Sequence, residues 1–294
     1  MPLKLSQPDS AMELLETRAL PEGGFPSRSG EPFRCDATAW AMLPLLFFNP
    51  HHSLLGSAGA RLAEAQAVDG SVSVARDHTD AYWPTALSVL AWSHSPLHAS
   101  HRHRGVQFLL ETTGRHFKKE PDSPVQHDPS IPGWSWIADT HSWVEPTALA
   151  VCALRNRGFA QHQRVSDGVR LLIDRQLPNG GWNYGNTKVF GTELHPALES
   201  TGAALQAVAG LVPYHEIKKS VDYLKAEVDR ARTPVGLGWG LLGLGAWGEA
   251  PKGSSDLIHQ ALGRQERYGP YDTSSLALLL LPLAAPRGIL AALG

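Results

Sequence analysis

The chain predicts an all-α fold, an (α/α)6 toroid of six helix pairs. Three observations predict it. A two-helix pattern recurs six times along the 294 residues. The first helix of each pair has apolar residues at three- and four-residue spacing, as in Val169, Leu172 and Ile173. The second is small and apolar almost all round, as in Thr147-Ala-Leu-Ala-Val-Cys-Ala-Leu154. A helix apolar on every face is buried on every face, so the second helices form an inner layer and the first ones an outer layer. Repeats of this length determine architecture before any single residue does.

The first copy runs from Leu14–Arg18 through Gly23-Gly24-Phe25 to Asp36–Leu43. The second joins Ala60–Gln66 through Asp69-Gly70 to Trp83–Leu90. The third joins Gly105–Leu110 through Gly133-Trp134 to Glu145–Val151. The fourth is the clearest: Gly168–Gln176, then Pro178-Asn-Gly-Gly-Trp182, then Glu199–Leu205. A degenerate fifth joins Val221–Leu224 to Gly236–Leu242. The sixth joins Leu257-Ile258 and Arg264-Gln265 to Asp272–Leu278. Strand signals are sparse, the best being the short alternating run Ser71–Ala75. The 28 glycines and 22 prolines suit turns between helices, because hydrophobic content is 43%.

One toroid domain accounts for residues 1–294, with a loop insertion at about 116–133 in copy three, which is the expected flexible segment. The net charge of −2 offers a polyanion nothing, so nucleic acid is not an expected partner. Cys35 and Cys152 lie in inner-helix sequence and read as buried free thiols. With no basic-then-apolar opening, they point to a cytoplasmic protein. The greasy C-terminal segment is broken by Pro282, Pro286 and Arg287, too short a run to span a bilayer. It reads as the last inner helix plus a closing segment. A sharper reading makes it a peripheral membrane contact that admits an apolar ligand.

Asp36, Glu145, Glu199 and Asp272 recur at the starts of four inner helices. Parallel inner helices bring those starts to one end of a lumen, so the four are candidate catalytic acids. The competing role is capping, which suits Asp36 and Asp272 better than the two glutamates. Burial and like-charge neighbours both raise a carboxyl pKa, so crowding acids in an apolar lumen can leave one protonated. Trp40, Trp83, Trp136, Trp143 and Trp239, with His141, are candidate substrate-binding residues. Ring faces stabilise a carbocation by roughly 0.5–2 kcal/mol each, although large cores also use tryptophan simply as filling. A metal set of His141, His195 and Glu199 is set aside, because Pro196 breaks the helical face and no ligand spacing recurs. No metal or other cofactor is expected.

With these residues in view, the chain resembles the squalene cyclase and prenyltransferase β-subunit superfamily. Copy four is similar to that family's glutamine–tryptophan repeat: an apolar helix, Gln176, Gly180 and Trp182. The resemblance spans nearly the whole chain and is specific in copies one and four. It implies the toroid, with Gln capping a neighbouring helix end and Trp stacking on it. It also implies an isoprenoid ligand and a partner subunit of the prenyltransferase kind. The Asp-x-Asp-Asp motif of class II terpene cyclases aligns with Trp143-Val-Glu145-Pro146. Glu145 stands at the central, proton-donating position, and Trp143 and Pro146 replace the flanking acids. The prenyltransferase zinc set has no counterpart: there is no Asp-x-Cys, and Cys35-Asp36 has the reverse order. The chain has the length of one toroid, where triterpene cyclases resemble two fused. Three functions remain open: a terpenoid cyclase-like or prenyltransferase-like enzyme protonating an isoprenoid, a carbohydrate-active (α/α)6 barrel, and a non-catalytic toroid binding a lipid or a protein.

Overall fold

The structure, a computed structural model, describes residues 7–294. It contains the six helix pairs in chain order. These are α1 (Pro8–Glu16) with α2 (Cys35–Phe48), α3 (Ser53–Glu64) with α4 (Pro84–Ala91), and α5 (Ala99–Glu111) with α6 (Val144–Asn156). Then come α7 (Gln163–Asp174) with α8 (Leu198–Val208), and α9 (Tyr214–Glu227) with α10 (Pro234–Ala246). The last pair is α11 (Ser254–Gly263), followed by the short α12 (Gln265–Tyr268), with α13 (Thr273–Ala284). A terminal turn, α14 (Ile289–Leu293), closes the chain.

The even-numbered helices α2 to α10 and α13 form the inner layer. Each packs against the next, and α13 returns to α2, so the ring closes. Burial separates the layers. All eight residues of α4 are buried, whereas only Ala58, Gly59 and Leu62 are buried in α3. The C-terminal run follows suit: Leu276 and Leu279–Leu281 are wholly buried in the core. No helix among the described residues is long and apolar enough to cross a membrane. Cys35 and Cys152 are buried and unbridged.

One hydroxyl explains how each turn is fixed to its inner helix. Thr38, Thr85, Thr147 and Thr201 each accept a hydrogen bond from the backbone N–H of a turn residue: Phe25, Val72, Trp134 and Trp182, at 2.8, 2.8, 3.0 and 2.9 Å. The same hydroxyls lie 3.1–3.4 Å from those residues' carbonyls. Turn residue and threonine are 13 residues apart in the first three copies and 19 in the fourth. The longer loop of copy four holds a small antiparallel hairpin, β1 (Lys188–Val189) with β2 (Thr192–Glu193). The run Ser71–Ala75, the best strand signal, is irregular chain: Val72 is held by the Thr85 clamp, and the Val74 amide donates to the Ala81 carbonyl while its carbonyl accepts from the Cys35 amide.

The preceding glycine couples each turn to the next pair. Gly23, Gly70 and Gly180 have φ near +90°, and a Cβ on any of them would collide with the backbone carbonyl of Ser57, Arg104 or Lys219 on the following outer helix. The glutamine–tryptophan unit differs from the pattern its resemblance implies. Trp182 Nε1 donates to the Leu172 carbonyl of its own outer helix at 2.6 Å, and Trp134 Nε1 does the same to Leu109 at 3.0 Å. The Leu109 carbonyl, in the last turn of α5, gains a partner in this way, and the Leu172 carbonyl gains a second one beside the Arg175 amide. Gln176 caps no helix end. Its Nε2 donates to Ser220 Oγ, in the middle of α9, at 2.7 Å. At the seam, Arg18 ties the first pair to the last, donating to the Tyr271 carbonyl and Thr273 Oγ1.

The insertion between α5 and α6 is pinned rather than loose. The Asp128 amide donates to Asp174 Oδ2 at 3.0 Å, the Gln126 amide to the Lys188 carbonyl at 3.1 Å, and the Ala138 amide to the Asp80 carbonyl at 2.8 Å.

Thr201→Val keeps the clamp's shape and removes its hydroxyl. It leaves the buried N–H of Trp182 unpaired, since the Trp182 carbonyl still accepts from the Ala197 amide, at a cost of about 1–3 kcal/mol. Urea denaturation should report that loss, and an unchanged midpoint would contradict the clamp.

Candidate functional site

The inner-helix starts converge as the parallel arrangement requires. Trp83 is the residue before α4, Glu145 the second residue of α6, Val235 the second of α10 and Ser274 the second of α13. All four line one cavity of about 170 Å³, together with Trp40, Trp136, Leu149, Trp239, Ser275 and Leu278. Two edge-to-face pairs make its aromatic walls. Trp40 and Trp239 have centroids 5.7 Å apart at 82°, and Trp83 and Trp136 are 5.1 Å apart at 80°. Such pairs are worth about 0.5–1.5 kcal/mol each beyond their burial.

The four acids share a sequence phase only in part, and their environments diverge. Asp36, Glu145 and Glu199 each stand two residues before the position of a clamp threonine: Thr38, Thr147 and Thr201. Asp272 is out of register, immediately before Thr273. It is the N-cap of α13, accepting from the Ser275 amide at 2.9 Å and from Ser275 Oγ at 2.8 Å. This is the capping role in full. Asp36, by contrast, is no cap. Arg34 grips it through two bonds, Nε to Oδ1 and Nη2 to Oδ2, both 2.9 Å. A bidentate guanidinium neutralises that carboxylate.

Glu145 has no cationic partner. Ser200 Oγ donates to its Oε1 at a long 3.3 Å. Burial, then the neighbouring Glu199 carboxylate, push its pKa up from 4.5 to about 7, and the Ser200 bond only partly opposes them. Near neutral pH this is a carboxyl with a proton to give. Glu199 caps nothing either. Its Oε1 accepts from the exposed Tyr184 hydroxyl at 3.3 Å, and the phenol's pKa is raised chiefly by that carboxylate.

Of the candidate catalytic acids, then, only Glu145 lines the cavity, and Glu199 lies beside it through Ser200. Asp36 and Asp272 are committed elsewhere. Of the candidate substrate-binding residues, Trp40, Trp83, Trp136 and Trp239 come together. Trp143 and His141 do not: both line a different cavity, under the insertion. The reason is local. Trp143 precedes α6 in extended conformation, with its amide bonded to the Trp134 carbonyl, and Gly185 packs on its ring. His141 is exposed, edge-on to Phe117. Ser200 and Tyr184 were missed. Ser200 was legible as the neighbour of an acid on an inner helix; Tyr184, in a loop, carried no signal. Among the described residues, no group of three His, Cys, Asp or Glu side chains is placed to hold a metal.

A carboxyl whose pKa is raised on folding binds its proton more tightly in the folded chain. Its stabilising share is complete below about pH 4.5 and is lost as pH rises to about 7. The loss is on the order of 3 kcal/mol, at about 1.4 kcal/mol per pKa unit. Glu145→Gln should abolish this component. Urea denaturation between pH 4.5 and 8 should therefore show a shallower decline for the variant, and parallel curves would contradict a raised Glu145.

No protein-family model and no curated protein sequence matches the chain. Solved structures do. An α-1,6-mannanase, GH76A of Salegentibacter sp. HEL1_6, superposes with a TM-score of 0.62 at 12% identity, covering 97% of this chain and 98% of its own. A protein from Actinoplanes gives 0.59 at 17% identity, covering 97% and 100%. The type II terpene cyclase MstE from Scytonema, without ligand, gives 0.51 at 17% identity, covering 80% and 67%. At these identities the likeness is one of fold, and the fold is the (α/α)6 toroid.

Proposed function

We propose that this chain is a terpenoid cyclase-like enzyme that protonates an isoprenoid in its lumen, with Glu145 as the proton donor. The observation that carries the reading is a carboxyl with its pKa near 7 in a cavity walled by four tryptophans. Protonating an alkene or epoxide needs a neutral acid at working pH. The carbocation that follows needs electron-rich faces, which the indoles provide. The motif alignment agrees, since Glu145 stands where the resemblance puts the donor.

At about 170 Å³ the cavity is smaller than the roughly 300–1,000 Å³ of ordinary ligand pockets. In this reading it encloses the reacting end of an isoprenoid while the rest extends toward the mouth.

The mannanase likeness keeps a carbohydrate reading in play, because that fold covers this chain almost completely. The site favours it less. A glycosidase needs two carboxyl groups about 5–9.5 Å apart across the scissile bond. Here the cavity wall carries one acid; Glu199, the neighbouring carboxylate, lies outside the wall and is bonded to Tyr184, Asp36 is ion-paired and Asp272 caps a helix. An inactive mannanase variant replaces two consecutive aspartates by asparagine, and this chain has no consecutive aspartates.

Incubation with geranylgeraniol and its terminal epoxide, followed by gas chromatography–mass spectrometry, tests the proposal. Cyclised product is expected from the wild type. Glu145→Gln should lose at least about 100-fold in turnover, the usual worth of a general acid. Turnover untouched by the substitution would remove Glu145 from the role. Hydrolysis of an α-mannan instead would establish the carbohydrate reading.

A further inference from the structure

A second cavity, of about 240 Å³, lies beneath the insertion, outside the lumen. Its wall holds Arg115, His127, His141 and Arg175, with Phe117 and Trp143 as apolar surface, and no carboxylate-bearing residue. Two of the basic side chains are buried with unused donors or acceptors. Arg175 is 4% exposed. Its Nη1 donates to Asp174 Oδ2 at 3.1 Å and its Nη2 to the Asp128 carbonyl at 3.3 Å. Its Nε has no partner. His127 is 9% exposed, and its Nδ1 has none either. Arg115 and His141 are exposed at the mouth.

Leaving a buried guanidinium N–H unpaired is unfavourable, because its bond to water is lost and not replaced. One unpaired group is tolerable, but two lining one cavity whose other ionisable groups, Arg115 and His141, are also basic form a pattern. Asp174 offsets the charge of Arg175 through that ion pair but leaves its Nε without a partner. That carboxylate already accepts from Arg175 Nη1 and from the Asp128 amide, and it lies outside the wall.

We propose that this cavity binds the oxyanion head group of a small molecule, a phosphate or a carboxylate, through Arg175 and His127 with Arg115 at the entrance. Arg175 Nε donates to the anion, while Nη1 and Nη2 remain tied to Asp174 and the Asp128 carbonyl. The insertion is therefore the roof of a site and not mere surface decoration. The assignment does not depend on how the lumen is used.

Isothermal titration calorimetry at fixed ionic strength, with inorganic phosphate, pyrophosphate and acetate as probes, tests this. Binding of phosphate or pyrophosphate in preference to acetate identifies a phosphate site, and the reverse a carboxylate site; either supports the proposal. Arg115→Gln and His127→Gln should each weaken binding by about tenfold or more, as expected for a lost charge-assisted bond. Arg267→Gln, on the exposed Arg267 that stacks on Tyr268, should not. Circular dichroism melts establish that the variants are folded. No binding of any probe to the wild type would overturn the site. So would affinities of Arg115→Gln and His127→Gln equal to the wild type's.

Discussion

The hydroxyl of an inner-helix threonine, bonded to the backbone of the preceding turn, is the interaction on which the rest of this molecule depends. It recurs at Thr38, Thr85, Thr147 and Thr201. Each bond fixes where an inner helix begins relative to its outer partner. The glycine before it then brings the next outer helix to backbone contact, at Gly23, Gly70 and Gly180. Two short-range constraints thus become a closed ring, with six helix starts at one end. Side chains placed two residues before the clamp inherit a fixed position at that end. Asp36, Glu145 and Glu199 hold their places for this reason.

Position alone does not make chemistry. Three acids at one phase have three fates, set by their neighbours. Arg34, two residues away from Asp36, holds it as an ion pair. Glu199 reaches solvent through Tyr184. Glu145 receives neither cation nor water-facing partner, and burial raises its pKa to about 7. Desolvation is the dominant cause, with repulsion from Glu199 second. The acid that the geometry leaves least satisfied is thus the one enclosed by Trp40, Trp83, Trp136 and Trp239. Sites of chemistry are commonly built from such unsatisfied groups.

The ring was legible in the sequence because its signal is periodic. The six small, apolar inner helices repeat one pattern, and the Gly-Gly-aromatic turns of copies one and four mark the same constraint, so the weak copies reinforce one another. Trp40, Trp83 and Trp239 were legible for the same reason, since they sit on or beside inner helices, whereas Trp136 reaches the cavity from the loop before α6. Trp143 and His141 were not, because their loop turns them under the insertion, and loop direction has no periodicity. The fate of Asp36 was hidden too. Arg34 was visible, but a side-chain pairing over two residues depends on the extended backbone before α2, which the helical pattern does not encode. Asp272 shows the limit of reading by phase: one residue of slippage converts a lumen position into a cap.

The central claim is that Glu145 is held protonated up to neutral pH inside the tryptophan cavity. Carbon-13 NMR of protein labelled at the glutamate side-chain carboxyl carbons tests it most directly, with Glu145→Gln identifying the resonance. The account predicts one glutamate titrating near pH 7, absent from the variant. Titration of the Glu145 carboxyl near 4.5, with the other glutamates, would contradict it.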